Sequence, residues 1–306
     1  MSYDPSQDVE DLHAAFKGAG TDEKTIISIL ANRTNAQRQQ IKSAYKVKFG
    51  ADIQDKLKSE LSGNFEDAAI ALFDLPAVYD AKSLYKAMKG LGTDEKTLIE
   101  IITSRSPAHM AEVKKEFFQM YKKSLEDWVK SEISGGFLDF MLSLLKGERI
   151  ETEIPDKEKC KLLGSNLAQK DKLKWEGPGS DIYNALMLCG QSELTWVCKY
   201  FHKFKKKTII EAVEKDFSSD LKKAIKSLIF AVVSPSEFCA THIYNAMKGL
   251  GTNDKVLMRM IITRDEIDLP LVKAFYKKKY NKDMVEAIKS DTSGDYKNLL
   301  VEILSH

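Results

Sequence analysis

The sequence predicts an all-α protein made of four like units, with about five helices in each. Three observations carry that expectation. First, one sextet occurs three times, as Phe16-Lys17-Gly18-Ala19-Gly20-Thr21, Met88-Lys89-Gly90-Leu91-Gly92-Thr93 and Met247-Lys248-Gly249-Leu250-Gly251-Thr252. Second, an acid stands 40 residues after the last glycine of each copy, at Glu60, Glu132 and Asp291, and each acid opens a tail ending in Ser-Gly. Asp216 opens a worn version of that tail, Asp-Phe-Ser-Ser, so the acids mark four units and the third has diverged. Third, apolar residues recur at helical spacing and do not alternate with period two over a strand length.

The elements of the first unit can be justified in order. Val9, Leu12 and Phe16 fall at i, i+3 and i+7 and give the first stripe. Ile26, Ile27 and Leu30 give the second, and Ile41, Tyr45 and Phe49 the third. Ile53, Leu57 and Leu61 give the fourth, and Phe65, Ala68, Ala69 and Leu72 close the unit. Thr21 and Thr93 read as N-caps, and Asp22, Glu23, Asp94 and Glu95 follow where acids favour the helix dipole. The expected boundaries are 1–75, 76–148, a charged linker at 149–159, a divergent unit at 160–233 and a last unit at 234–306. The linker expectation rests on the charged run Lys146 to Lys159, which has little apolar periodicity and contains Pro155. The stretch before the first helix, about Met1 to Ser6, is expected to be too short for a long partner-binding arm.

Composition excludes several classes. At 306 residues with a net charge of +2, no strong field selects nucleic acid. There is no apolar run of membrane-spanning length and no cationic-then-apolar leader. The expectation is a soluble, cytoplasmic protein, with export by a leaderless route left open. Cys160, Cys189, Cys198 and Cys239 lack metal-like spacing and read as reduced, mostly buried thiols. The five histidines never pair at metal or triad spacing, and no phosphate loop or nucleophile elbow occurs. No catalytic constellation is present, so the chain reads as a binder and not an enzyme. A Gly-x-Gly turn exposes carbonyls, and an acid held in register can close over them. That oxygen-rich, lightly charged set suits a hard cation such as Ca²⁺.

These residues resemble the annexin family over nearly the whole chain: four repeats of similar length, Met-Lys-Gly-x-Gly-Thr loops and the acid in register. Phe16 stands where the usual Met is found. The resemblance implies four annexin-type repeats packed as a slightly curved disc, with calcium loops on its convex face and acidic phospholipid of the phosphatidylserine type as partner. By that analogy, Phe16, Gly18 and Gly20 would offer carbonyls to one ion and Glu60 a bidentate carboxylate. Met88, Gly90, Gly92 and Glu132 would form a second site, and Met247, Gly249, Gly251 and Asp291 a third. Three carbonyls and one bidentate acid leave some of calcium's roughly six to eight positions open for water or a lipid phosphate. The filled site keeps a net positive charge, which an anionic headgroup completes. Thr21 and Glu23, like Thr93 and Glu95, either add minor ion ligands or serve the helix start.

The third unit departs from the pattern. Trp175-Glu176-Gly177-Pro178-Gly179-Ser180 imitates the sextet but lies 37 residues before Asp216, not 40. A site from Trp175, Gly177, Gly179 and Asp216 is left open. In annexins with a Trp at this place, the ring is expected to enter the lipid interface, a zone that favours Trp; the alternative is a ring packed on its own repeat. Trp128 and Trp196 fall within helical stripes and read as core. Lysine runs at 205–207, 222–223 and 277–279 read as solvated faces, with acidic lipid or a sulfated polysaccharide as the family's alternative partners. Arg33, Arg105 and Arg264 end the second helices and are expected to tie helix ends together, with Cys189 in their place in the third unit. The rival readings are a scaffold of the same fold bound to cytoskeleton or another protein, and a channel-modulating assembly lined by Asp80, Glu100, Arg105 and Arg259. The resemblance implies a monomer in solution and leaves self-association on a membrane open.

Overall fold

The apolar stripes become helices because each buries one face. In the computed structural model, which describes residues 3–18 and 20–306, the stripe residues Leu12, Ile26, Leu30, Ile41, Ile53, Leu57 and Leu72 are fully buried. The expectations that touch Met1, Ser2 and Ala19 lie outside the described residues. The first five helices are α1 (Ser6–Ala15), α2 (Glu23–Ala31), α3 (Asn35–Phe49), α4 (Ile53–Glu60) and α5 (Gly63–Phe73). The next five are α6 (Pro76–Met88), α7 (Glu95–Ser104), α8 (Pro107–Tyr121), α9 (Leu125–Glu132) and α10 (Gly135–Leu145). Then come α11 (Lys157–Gln169), a short α12 (Asp181–Tyr183) that runs into a π-helical turn (Asn184–Leu188), α13 (Gln191–Lys205), α14 (Ile209–Asp216) and α15 (Ser219–Val233). The chain ends with α16 (Pro235–Met247), α17 (Asp254–Ile262), α18 (Leu269–Tyr280), α19 (Met284–Asp291) and α20 (Gly294–Ile303).

The helices gather into two compact units, residues 1–76 with 236–306, and residues 77–235. In the first, Arg38 is almost fully buried. It donates to the carbonyls of Arg33 (2.9 Å) and Leu72 (3.1 Å) and pairs with Asp265 at 3.4 Å, joining the first repeat to the last. In the second unit, α11 and α13 approach so closely at Gly164 that a Cβ there would stand 2.7 Å from that of Tyr200.

Corner arginines tie helix ends, as expected. Arg33 donates to both carboxylate oxygens of Asp8 at 2.6 and 2.9 Å, and Arg105 to both of Asp80 at the same two distances. Arg264 instead pairs locally with Asp268. Cys189 takes this place in the third repeat; it is buried, and burial pushes its thiol up to about 12.

One expectation is corrected and two are refined. The N-caps of α2 and α7 are Asp22 and Asp94, whose carboxylates accept the Thr25 and Thr97 amides at 3.1 Å. Thr21 and Thr93 therefore stand one residue before the cap. Trp128 and Trp196 pack against the core of their unit but remain half-buried, and Lys157 and Lys199 lie over the Trp196 ring. The charged segment after α10 makes contacts of its own. Glu151 accepts the Gln191 amide at 2.8 Å and so caps α13, whose own N-cap Gly190 has no side chain, while Glu148 accepts the Tyr183 hydroxyl. The last three residues of the run, Lys157 to Lys159, are already helical.

The fifth helices start alike. Gly63, Gly135 and Gly294 open α5, α10 and α20 at φ of 62°, 64° and 61°, but Ser219 opens α15 at φ 52°. A non-glycine residue in this left-handed region is strained. Ser219→Gly is expected to stabilise the protein by about 0.5–1 kcal/mol, read as a higher urea midpoint at unchanged slope.

Candidate metal sites

Each loop starts where a first helix ends. In α6 the chain stops at Met88, and Asp94 donates its amide back to the carbonyl of Ala87 at 2.9 Å, closing the sextet into a tight loop. Asp22 to Ala15 (3.0 Å) and Asn253 to Ala246 (2.8 Å) close the other two. The glycines are needed for conformation and not for space. Gly90 and Gly92 sit at φ of 124° and 85°, and Gly249 and Gly251 at 125° and 82°, yet a Cβ at any of these would meet nothing within 4 Å. A side chain would be strained there whatever the room.

These turns leave carbonyls open. Among the described residues, the carbonyls of Phe16, Gly18, Gly20, Met88, Gly90, Gly92, Met247, Gly249 and Gly251 accept no backbone hydrogen bond. The acids arrive at the ends of the fourth helices. Thr93 donates its hydroxyl to Glu132 at 2.9 Å, and Thr252 to Asp291 at 2.6 Å. The threonine thus holds the distant carboxylate against its own loop. In the first repeat Glu60 is instead held by Lys56 at 2.9 Å. In the first unit, Glu23, Glu60, Thr252, Asp254 and Asp291 line one open cleft of about 450 Å³. In the second, Glu95, Glu132, Trp175 and Asp216 line another of about 720 Å³. Among the described residues, no three His, Cys, Asp or Glu side chains converge to hold a metal. A cation here needs the loop carbonyls, and the donors present, open carbonyls beside one carboxylate, are the hard oxygens that Ca²⁺ takes.

The third repeat is built differently. Asp216 accepts the backbone amide of Leu173 at 2.8 Å. Ser180 donates its hydroxyl to the carbonyls of Gly177 (2.9 Å) and Glu176 (3.1 Å), and its amide to Gly177. Gly179 keeps the left-handed conformation, at φ 89°. Both the acid and a key carbonyl are therefore already engaged. The Trp175 ring packs edge-on against Phe140 at 4.9 Å and beside Tyr183 at 5.9 Å.

Comparison with known proteins decides the family. The chain is 38% identical to human annexin A13 over 304 residues, covering 99% of this chain and 96% of that protein. The sequence profile described as Annexin matches residues 7–72, 79–144 and 238–303. The chain belongs to the annexin family. Among solved structures, one described as annexin III superposes on this annexin with a TM-score of 0.94 at 36% identity, covering 100% of this chain and 95% of the other. A calcium-bound annexin (Sm)1 superposes with a TM-score of 0.89 at 32% identity, covering 99% and 90%. The profile match skips residues 145–237, the stretch that contains the engaged third loop.

Sequence reasoning missed three partners in this annexin: Lys56 on Glu60, Ser180 on its own loop, and the Leu173 amide on Asp216. Lys56 stands four residues before Glu60, a spacing that puts both on one helix face. Ser180 stands where the other copies have Thr, a visible signal. The amide contact left none.

Proposed function

We propose that this annexin binds anionic phospholipid membranes peripherally through calcium held at the first, second and fourth loops. The observation that carries this reading is the pairing of open loop carbonyls with an acid that the loop threonine holds in register. When bound, calcium would supply open coordination positions and a residual positive charge for a lipid phosphate. The protein's own part is to aim three carbonyls and one carboxylate, and to present the loop tips. Leu91 and Leu250 stand fully exposed at those tips, between glycines. They suit the apolar side of a lipid interface, so each loop offers both charge and a wedge. Among the described residues no helix is long and apolar enough to cross a membrane, which fits peripheral docking.

The sites are unequal in this reading. Lys56 competes for Glu60, so the first loop is weaker than the second and fourth. The third stays closed while Asp216 holds Leu173, and contact of Trp175 with lipid requires that latch to open. Calorimetric titration of the chain with CaCl₂ is expected to give three ions per chain, two of them tighter. A fourth ion of equal affinity would contradict the closed third loop. No heat and no bound ion would contradict the calcium reading.

A further inference from the structure

At the end of each helix that leads into an open loop lies the same ring stack. His13 stacks on Phe49 with centroids 3.7 Å apart and planes at 8°. Tyr85 stacks on Tyr121 at 3.7 Å and 8°, and Tyr244 on Tyr280 at 3.8 Å and 3°. A third ring packs against the second of each pair: Tyr45 lies 5.0 Å from Phe49, Phe117 4.9 Å from Tyr121 and Tyr276 5.1 Å from Tyr280. The first ring of every pair stands three residues before the first candidate carbonyl, at Phe16, Met88 or Met247. The second is the last residue of a third helix, α3, α8 or α18.

The third repeat lacks the stack. Asn166 occupies the place in α11 that Tyr85 has in α6, and Lys205 ends α13 where Tyr121 ends α8. Lys205 donates to the carbonyl of Lys170 at 2.7 Å instead. The repeat without the rings is the repeat whose loop is closed.

We propose that these stacked pairs are positioning residues for the calcium loops: they pin the end of the first helix to the end of the third and so set where the loop carbonyls point. The proposal rests on the calcium reading above. The pin sits on the route between the two halves of each site. Tyr85 precedes the carbonyls of the second loop, and α8, which Tyr121 ends, leads through a short turn into α9 and Glu132. Tyr85 also accepts the Lys89 amide on its carbonyl at 2.8 Å, at the first step of the loop. In the second and fourth repeats the loop lysine is parked on the same ring. The ammonium of Lys89 lies 5.4 Å from the Tyr85 centroid, and that of Lys248 5.9 Å from Tyr244. Attraction to the ring face holds this cation. It stays off the neighbouring carboxylate, where it would compete with calcium as Lys56 does at Glu60.

The test uses the full chain carrying Glu60→Gln and Asp291→Asn, so that Glu132 is the remaining acid at an open loop. Calcium affinity is measured by calorimetry, and thermal unfolding separately, for this parent and for added Tyr85→Leu, Tyr121→Leu or Tyr85→Phe. The leucine variants are expected to bind calcium about five- to tenfold more weakly. Tyr85→Phe keeps the stack and is expected to stay within about twofold of the parent. Leucine variants that bind calcium as tightly as the parent, whatever their unfolding temperature, would overturn the positioning role. So would a Tyr85→Phe variant as weak as Tyr85→Leu. A parent that binds no calcium would overturn the calcium reading of the second loop, and the positioning role with it.

Discussion

Glu132→Gln is expected to raise the calcium needed for half-maximal binding to phosphatidylserine vesicles by about tenfold, with helix content unchanged. The reasoning follows the atoms. Glutamine has the same shape and still offers an oxygen to the Thr93 hydroxyl, which Glu132 accepts at 2.9 Å. The fold at the end of α9 therefore loses little. What disappears is the one negative charge and the bidentate grip that a hard cation requires. Several weak sites acting together bind far more tightly than one, so loss of a site is felt as lost avidity and not as an all-or-none defect. The triple variant Glu60→Gln, Glu132→Gln, Asp291→Asn should lose calcium-dependent binding altogether. Circular dichroism and vesicle binding on the same samples check both halves of the expectation. Full binding by the triple variant would remove the loops from the account.

The largest effect on stability is expected at Asp80. Its side chain is fully buried, grips Arg105 through two hydrogen bonds and meets His109 Nε2 at 2.8 Å. Removing one partner of such a buried pair leaves a charge badly compensated, at a cost of about 3 kcal/mol or more. Asp80→Ala should therefore lower the urea midpoint sharply. The same carboxylate gives a pH dependence of known sign. Burial by itself would raise its pKa, but the charge and hydrogen bonds of Arg105, with the hydrogen bond to His109, outweigh burial and hold it well below the usual carboxylate range. A depressed folded value means that its contribution is fully present above the unfolded value of about 4 and is lost as pH falls through the folded one. Wild-type stability should fall on acidification below about pH 4, and the Asp80→Ala variant should lose less over the same interval. Equal losses in both would exclude Asp80 as the group responsible.

Much of this was legible in the sequence because the repeat supplies three copies of each signal. The stripes through Leu12, Leu30, Ile41 and Leu57 are buried as the periodicity requires. Glu132 and Asp291 do meet the threonines of their own loops. The cap error at Thr21 and Thr93 has a simple cause. Thr and Asp both cap helices well, and the local sequence holds no sign that the Thr93 hydroxyl serves an acid 39 residues away. Trp128 and Trp196 pack against the core of their unit but stay half-buried, because a stripe marks a helix face without separating its centre from its edge. The ring stacks were readable, since His13 and Phe49, Tyr85 and Tyr121, and Tyr244 and Tyr280 each stand 36 residues apart. Apolar periodicity treats those rings as ordinary core, and only the structure shows them stacked in pairs. The worn third loop was visible in its 37-residue spacing and in Ser180, but the contact that occupies its acid was not. Its residues Trp175, Gly177, Gly179 and Asp216 match the pattern by type, and what engages Asp216 is the Leu173 backbone amide, a group that every non-proline residue possesses.

Calcium bridging between the loops and acidic lipid can be tested by co-sedimentation with vesicles. The full chain is spun with phosphatidylserine vesicles and with phosphatidylcholine vesicles, each with calcium and with excess chelator. Bridging requires that the protein pellet only with phosphatidylserine and only with calcium. Equal pelleting in chelator would contradict it and move the interaction to the lysine faces, and no pelleting in any condition would reduce the loops to structural turns.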